Sequence, residues 1–370
     1  MPPSARQSFG PLDPTVAQAR TLVRDALAPI LPAQAAGDAP NAASDLATAP
    51  LILVACSGGP DSMALAATAA FVIPRLGARV GAVIVDHDLQ PGSAAAAQQA
   101  AQQCRDLGLE PVKVIKTQVA RGPESGGLEA GARSARYAVL RQQIKKHRAQ
   151  AVLLGHTLDD QAEQVLLALT RGSGTRSLAG IPAQRDFFYR PFLQLRRRDT
   201  EHICAHLKLT TWLDPTNELP AETLTHQAPS LINVPRRTVV RNIVLPHLEH
   251  HLGPGIAQAL ARTAGLARAD DAALSDLADN LLHEATINVT AQERQLDCHV
   301  LGGAPKAVRT RALRRACIAI GVPTSPLALV HVTALDDLVT NWRGQGPVDL
   351  PGGHQGRRQY GTLTLYTVKK

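Results

Sequence analysis

Aromatic residues are scarce: Phe, Trp and Tyr make up 3% of the 370 residues. That speaks against an aromatic-rich β-sandwich and for helices packed on a sheet of small aliphatic residues. Cysteine is sparse too, at positions 56, 104, 204, 298 and 317, with no C-x-x-C pair. An odd number at wide spacing excludes a zinc ribbon and a disulfide framework, and it fits a reducing, cytoplasmic setting. No run of about 18 apolar residues occurs, so no membrane span is expected. Pro2, Pro3, Arg6 and Pro11 stand near the N-terminus without the apolar stretch of a secretory signal. No internal repeat is visible.

What is present is aliphatic and basic. Hydrophobic residues reach 45%, enough for a proper core, and the formal net charge is +8. A basic excess favours a polyanionic partner without proving one.

The chain divides by pattern into three expected stretches. Residues 1–49 read as an extension, an arm without chemistry. Within it Val16, Ala19, Leu22, Val23, Ala26 and Leu27 recur at helical spacing, and an unpatterned linker runs from Pro32 to Pro50. Residues 50–232 read as a catalytic domain. Strands are expected at Leu51–Cys56, Val80–Val85, Val112–Ile115 and Ala151–Leu154. Helices are expected at Asp61–Val72, Ser93–Leu107, Leu128–His147, Leu158–Thr170 and Asp199–Leu207. Alternating strands and helices predict an α/β fold with a doubly wound parallel sheet. Residues 233–370 read as a helical linker, about Arg236 to His283, and a smaller C-terminal α+β domain. That domain is expected to have a strand at Leu296–Val300, helices at Val308–Ile320 and Ala328–Trp342, and a turn-rich end.

Three motifs fall at carboxyl ends of expected strands, the edge where open sheets bind ligands. The first is Ser57-Gly58-Gly59-Pro60-Asp61-Ser62. Glycines let backbone N–H groups close on phosphate oxygens, and the following helix adds its positive end. The Walker A lysine is missing, and so is G-x-G-x-x-G. The plainer reading is a tight turn with Asp61 as a capping acid. The second motif is Asp86-His87 after the second strand, with a strand-end turn as its plainer reading. The third is Gly155-His156-Thr157-Leu158-Asp159-Asp160-Gln161-Ala162-Glu163. Its acids could merely complement the helix dipole, but His156, Asp159, Asp160 and Glu163 together can bind Mg²⁺ and take a proton.

S-G-G-x-D-S resembles the pyrophosphate-loop signature of the N-type ATP pyrophosphatases. Further strings appear in order: V-D-H-x-L-x-P-G-S, L-E-A-x-A-R-x-x-R-Y at 128–137, G-H-T-x-D-D-Q-A-E, R-P-F-L at 190–193 and D-P-T-N at 214–217. The set resembles the tRNA(Ile)-lysidine synthase family, strongly over about residues 51–250. It departs from the family at Asp88-Leu89-Gln90 and Gln164, and its match is loose at Arg236–Asn242. The resemblance implies that ATP activates O2 of the wobble cytidine of a tRNA(Ile) with a CAU anticodon, and that the amine of free lysine then displaces AMP.

On that resemblance, Ser57, Gly58, Gly59, Pro60, Asp61, Ser62, Asp86 and His87 would bind ATP. Asp61, His156, Asp159 and Asp160 would be catalytic, with Mg²⁺ on Asp61 and Asp159. Asp160, Glu163 and Arg190 would hold lysine, and Asp160 would take its proton. Arg133, Arg136, Tyr137, Arg196, Arg197, Arg311, Arg314 and Arg315 would contact the tRNA. Two rivals stay open: a tRNA thiolase of the same superfamily, which the absence of C-x-x-C disfavours, and a non-catalytic RNA-binding protein. The sequence leaves monomer or homodimer undecided.

Overall fold

The computed structural model describes residues 13–31, 49–88, 90, 92–117, 128–172, 174–212, 234–290 and 292–368. Most of the expected linker, Leu89, Pro91 and the D-P-T-N string lie outside the described residues. Two compact units are present, Met1–Gly265 and Leu266–Lys370.

In the first unit α1 (Pro14–Leu27) precedes β1 (Leu51–Cys56). Then come α2 (Pro60–Val72), β2 (Arg79–Asp86), α3 (Ser93–Asp106), β3 (Val112–Lys116), α4 (Leu128–His147) and β4 (Ala151–Leu154). After these follow α5 (Leu158–Leu169), the short α6 (Thr175–Leu178), the hairpin β5 (Gln184–Arg185) and β6 (Phe188–Tyr189), and α7 (Arg197–His206). Beyond the undescribed 213–233, α8 (Arg236–Val239) passes through a π-helical turn, Val240–Val244, into α9 (Leu245–Leu252), and α10 (Ile256–Ala285) follows, its residues from Leu266 onward belonging to the second unit.

The strands order as β3-β2-β1-β4-β6-β5, parallel except for the β5–β6 hairpin. The apolar runs that predicted β1 and β4 are buried, as strands covered on both faces must be. Strand order reverses between β1 and β4, so the chain leaves two adjacent strands in opposite directions at their carboxyl ends. That opens a crevice.

α1 corrects an expectation. Its helical periodicity was legible, but it is no detached arm. Val16, Ala19, Val23 and Leu27 are buried in one cluster with Ile52, Val54, Leu65 and Ile203. An amphipathic stripe of this kind gains by burial against a sheet layer and loses by staying in water. Asp13 caps the helix, accepting from the N–H groups of Thr15 and Val16, and also bonds His202 Nε2 at 2.8 Å. The Arg20 and Arg75 guanidinium groups lie 3.4 and 3.6 Å from the Phe71 ring centroid on α2.

The second unit carries an antiparallel sheet, β7-β8-β11-β10-β9. Its elements are β7 (Thr286–Val289), β8 (Glu293–Asp297), α11 (Cys298–Gly303), α12 (Lys306–Ala319), α13 (Leu329–Thr340), β9 (Val348–Leu350), β10 (His354–Gln359) and β11 (Thr362–Thr367). Two expectations shift. The strand expected at 296–300 ends at Asp297, because that side chain accepts from the N–H groups of His299 and Val300 and starts α11. The turn-rich end contains three strands. β11 buries Leu363 and Leu365 in alternation, but β10 offers only His354 and Gly356 to the core, so no apolar pattern announced it.

Candidate active site

The phosphate loop folds around one hydroxyl. Ser62 Oγ donates to Gly59 O at 2.9 Å and accepts from Ser57 N at 3.1 Å, and it lies 3.2 Å from Ser57 Oγ. Gly58 has φ +86°, a conformation open to glycine at little cost, and its carbonyl accepts from Trp212 N at 2.9 Å. Gly59 caps α2 without a side-chain acceptor, which leaves the helix's first N–H groups for a ligand.

The β4–α5 turn packs directly on this loop. A Cβ at Gly155 would stand 2.9 Å from the Asp61 carbonyl oxygen, so only glycine lets the two turns meet. Thr157 caps α5, with its N–H donating to Asp160 Oδ2 at 2.7 Å and its hydroxyl at 3.1 Å.

Around the acids stands a ring of arginines. Asp160 Oδ1 takes Arg237 at 2.9 Å. Glu163, with no exposed side-chain surface, takes Arg237 at 2.6 Å and Arg241 at 2.7 Å. Asp159 takes Arg196 Nε on both oxygens at 3.1 Å and the backbone N–H of Arg197 at 2.7 Å. Asp61 accepts from Thr200 Oγ1 at 2.5 Å. The Arg197 guanidinium faces Asp61, Asp160 and Glu163 at 3.4, 3.5 and 3.5 Å.

Burial pushes the Asp61 pKa up to about 6, although Arg197 and Thr200 oppose it. For Asp160 burial also works upward, but the Arg237 and Arg197 guanidinium groups outweigh it and hold the pKa at about 2. Burial lowers the His156 pKa to about 3; Asp160 opposes this, and Arg190, Arg136 and Arg237 add to it. His156 is therefore a neutral imidazole at ordinary pH. Its Nδ1 is buried without a hydrogen-bond partner among the described residues, as is His87 Nδ1.

A family model described as a PP-loop domain matches residues 34–223, and one described as a TilS substrate binding domain matches residues 296–364. The tRNA(Ile)-lysidine synthase of Thermobifida fusca is 47% identical over 352 residues, covering 95% of this chain and 98% of that one. The chain belongs to the tRNA(Ile)-lysidine synthase family. The Streptomyces coelicolor family member is 47% identical over 329 residues, covering 88% of each chain. A solved structure, the U34-tRNA thiolase NcsA from Methanococcus maripaludis with its 4Fe-4S cluster, aligns at TM-score 0.48 and 15% identity over 68% of this chain and 78% of that one. That likeness is too remote to bear on activity. No helix among the described residues is long and apolar enough to cross a membrane.

For a lysidine synthase, several expected residues stand elsewhere than the sequence suggested. Ser57 to Ser62, Asp61, His156 and Asp160 do converge at the crevice. Asp86 is buried, and its Oδ1 accepts from Asp88 N and Ser93 Oγ at 2.9 and 2.8 Å. Both oxygens of Asp159, expected to share a metal with Asp61, accept hydrogen bonds from Arg196 Nε and from Arg197 N. Glu163, expected to hold lysine, faces Arg197, Arg237 and Arg241 at 3.5, 2.6 and 2.7 Å. Arg190, expected to hold lysine, is buried and donates to Pro182 O at 2.9 Å and to Tyr137 Oη at 3.2 Å.

The arginines assigned to the family's RNA also divide. Arg196 and Arg197 belong to the acidic cluster. On α12, Arg311 pairs with Asp271 at 3.1 Å, Arg314 donates to the carbonyls of Leu327 and Thr324, and Arg315 pairs with Asp279. These charges hold their own unit together. Arg133 and Arg136 have no carboxylate within ion-pair distance among the described residues. Arg133 is exposed, with its guanidinium 5.2 Å from the Tyr137 ring centroid.

Thr200, Arg237, Arg241 and Gly155 were missed as site residues. Arg237 and Arg241 carried one faint signal, a spacing of four on a helix. Thr200 carried none.

Proposed function

We propose that this chain ligates lysine to C2 of the wobble cytidine of a tRNA(Ile) with a CAU anticodon, converting ATP to AMP and pyrophosphate. The observation that carries the reading is the meeting of the Ser57–Ser62 loop, Asp61 and His156–Asp160 at one switch point of a parallel sheet, in a member of this family.

Loop N–H groups and the head of α2 grip the phosphates that leave. Cytidine O2 attacks the α-phosphorus, and the bond to pyrophosphate breaks. The lysine amine then attacks C2, and the C2–O bond breaks to release AMP. A divalent cation such as Mg²⁺ would be held by Asp61, a hard oxygen donor in the first turn of α2 beside the phosphate loop, and when bound it would supply charge neutralisation for the pyrophosphate. Arg133 and Arg136 keep their charge for RNA phosphates. A tRNA substrate fits a reaction in the cytoplasm.

Lysine must lose a proton before it attacks, since its reference pKa is ~10.4. Asp160 is held at about 2 with its oxygens engaged, which suits it to attract an ammonium and not to take its proton. His156, a neutral imidazole beside Asp160, has an Nδ1 with no hydrogen-bond partner among the described residues.

The test supplies the purified chain with ATP, Mg²⁺, radiolabelled lysine and a CAU tRNA(Ile). Label should enter the tRNA, with one AMP formed per lysine. Sulfur transfer in place of lysine transfer would install the thiolase reading. Binding of tRNA with no ATP consumption would install the non-catalytic one.

A further inference from the structure

Arg197 sits at the centre of the acidic cluster, yet it is held more loosely than its neighbours. Its three nitrogens stand 3.4, 3.5 and 3.5 Å from Asp61, Asp160 and Glu163. Each of those carboxylates has a closer partner. Asp61 has Thr200 at 2.5 Å, Asp160 has Arg237 at 2.9 Å, and Glu163 has Arg237 and Arg241 at 2.6 and 2.7 Å. Arginines that fix geometry sit close and often bidentate, as Arg196 does on Asp159. Three distances near 3.5 Å supply charge but little geometric restraint.

The cluster's charge balance depends on that residue. Asp61, Asp159, Asp160 and Glu163 face Arg196, Arg197, Arg237 and Arg241, four charges of each sign. A guanidinium does not shed its proton, so the set is neutral only while Arg197 stays. A bare divalent cation approaching Asp61 would then meet a cationic group already against the carboxylate. ATP changes the balance, because its phosphates bring negative charge that neutralises the metal and offers Arg197 another partner. The Arg197 side chain is 22% exposed, so it can move outward without crossing the core.

We propose that Arg197 is a removable counter-ion: it covers Asp61 in the nucleotide-free chain and yields that place when metal and ATP arrive together. The inference rests on the reading of Asp61 as the metal-bearing carboxylate of an ATP site. It makes metal uptake conditional on nucleotide, since Arg197 repels a metal that comes alone.

The test is Mn²⁺ binding to the full chain without ATP, tRNA or lysine, read from the electron paramagnetic resonance signal of free Mn²⁺. The native chain should bind weakly. Arg197→Gln should bind at least about tenfold tighter, because one positive charge beside the ion is gone. Arg197→Lys keeps the charge and should stay within about threefold of native. Adding Asp61→Asn to Arg197→Gln should erase the gain. If Arg197→Gln fails to fold, Arg197→Met fills the same space without charge. Either neutral variant binding Mn²⁺ no tighter than native would overturn the proposal, as would a gain that survives Asp61→Asn. Failure of lysine transfer alongside the expected Mn²⁺ pattern would remove the lysidine reading and leave this one standing.

Discussion

Thr200 Oγ1 donates a 2.5 Å hydrogen bond to Asp61 Oδ1 across 139 positions of sequence. Through it α7 holds the carboxylate at the head of α2. The bond also sets where Asp61 titrates, and that can be measured.

Thr200→Val keeps the shape and removes the donor. Asp61 already titrates near pH 6 because burial outweighs Arg197 and Thr200. Without Thr200 its pKa rises further. Asp61 works as a carboxylate, so pyrophosphate release is lost as pH falls through that pKa. The acid limb should lie near pH 6 in the native chain and higher in the variant, with rates at alkaline pH changing little. A limb that stays in place would detach Asp61 from the rate. Stability runs the other way. A folded pKa above the ordinary 3.8 makes Asp61 most favourable to folding below about pH 4, and that contribution is lost as pH rises through about 6.

Gly155→Ala should damage the ATP step selectively. The added Cβ would meet the Asp61 carbonyl oxygen at 2.9 Å and Ser62 N at 3.1 Å, both backbone atoms. Overpacking of this kind costs about 1–3 kcal/mol. ATP–pyrophosphate exchange should fall at least about tenfold, while tRNA retention on a filter changes little. Full exchange activity would show that the two turns need not touch.

Glu163→Gln should act on stability before it acts on lysine. The amide would leave Arg197, Arg237 and Arg241 around a neutral buried group. Removing one side of such a network costs about 3–5 kcal/mol, which denaturant unfolding can read. Native stability with only a raised KM for lysine would return Glu163 to the lysine site.

Much of the catalytic crevice was legible because it is built from local signals. Strand, glycine turn and helix follow one another within Leu51–Val72, and again within Ala151–Leu169. The arginine assignments were not legible. Arg237 and Arg241 reach Glu163 across 74 and 78 positions, and no periodicity encodes an ion pair of that span. Arg196-Arg197-Arg198 reads as a basic patch when its partners are unseen. In the fold Arg196 and Arg197 turn inward, while Arg198 remains largely exposed.

Leu27→Ala tests whether α1 belongs to the catalytic unit. Leu27 has no exposed surface and shares a cluster with Ile52 and Leu65. A buried Leu→Ala change costs about 2–5 kcal/mol. Unfolding of the first unit should shift by that amount, with ATP-dependent exchange lost at the same denaturant concentration. An unchanged midpoint would restore the arm.

Synthesis on the ribosome gives the placement of α1 a further consequence. The bond from Asp13 to His202 spans 189 positions, and at ~5–20 residues per second that interval lasts roughly 10–40 s. Throughout it, β1 and α2 can cover part of the apolar stripe of α1, but the part that packs on Ile203 and Cys204 has no partner. That part stays exposed, or is lent to a chaperone, until α7 has left the tunnel. The seat of α1 is thus closed only after all six strands of the sheet have been made.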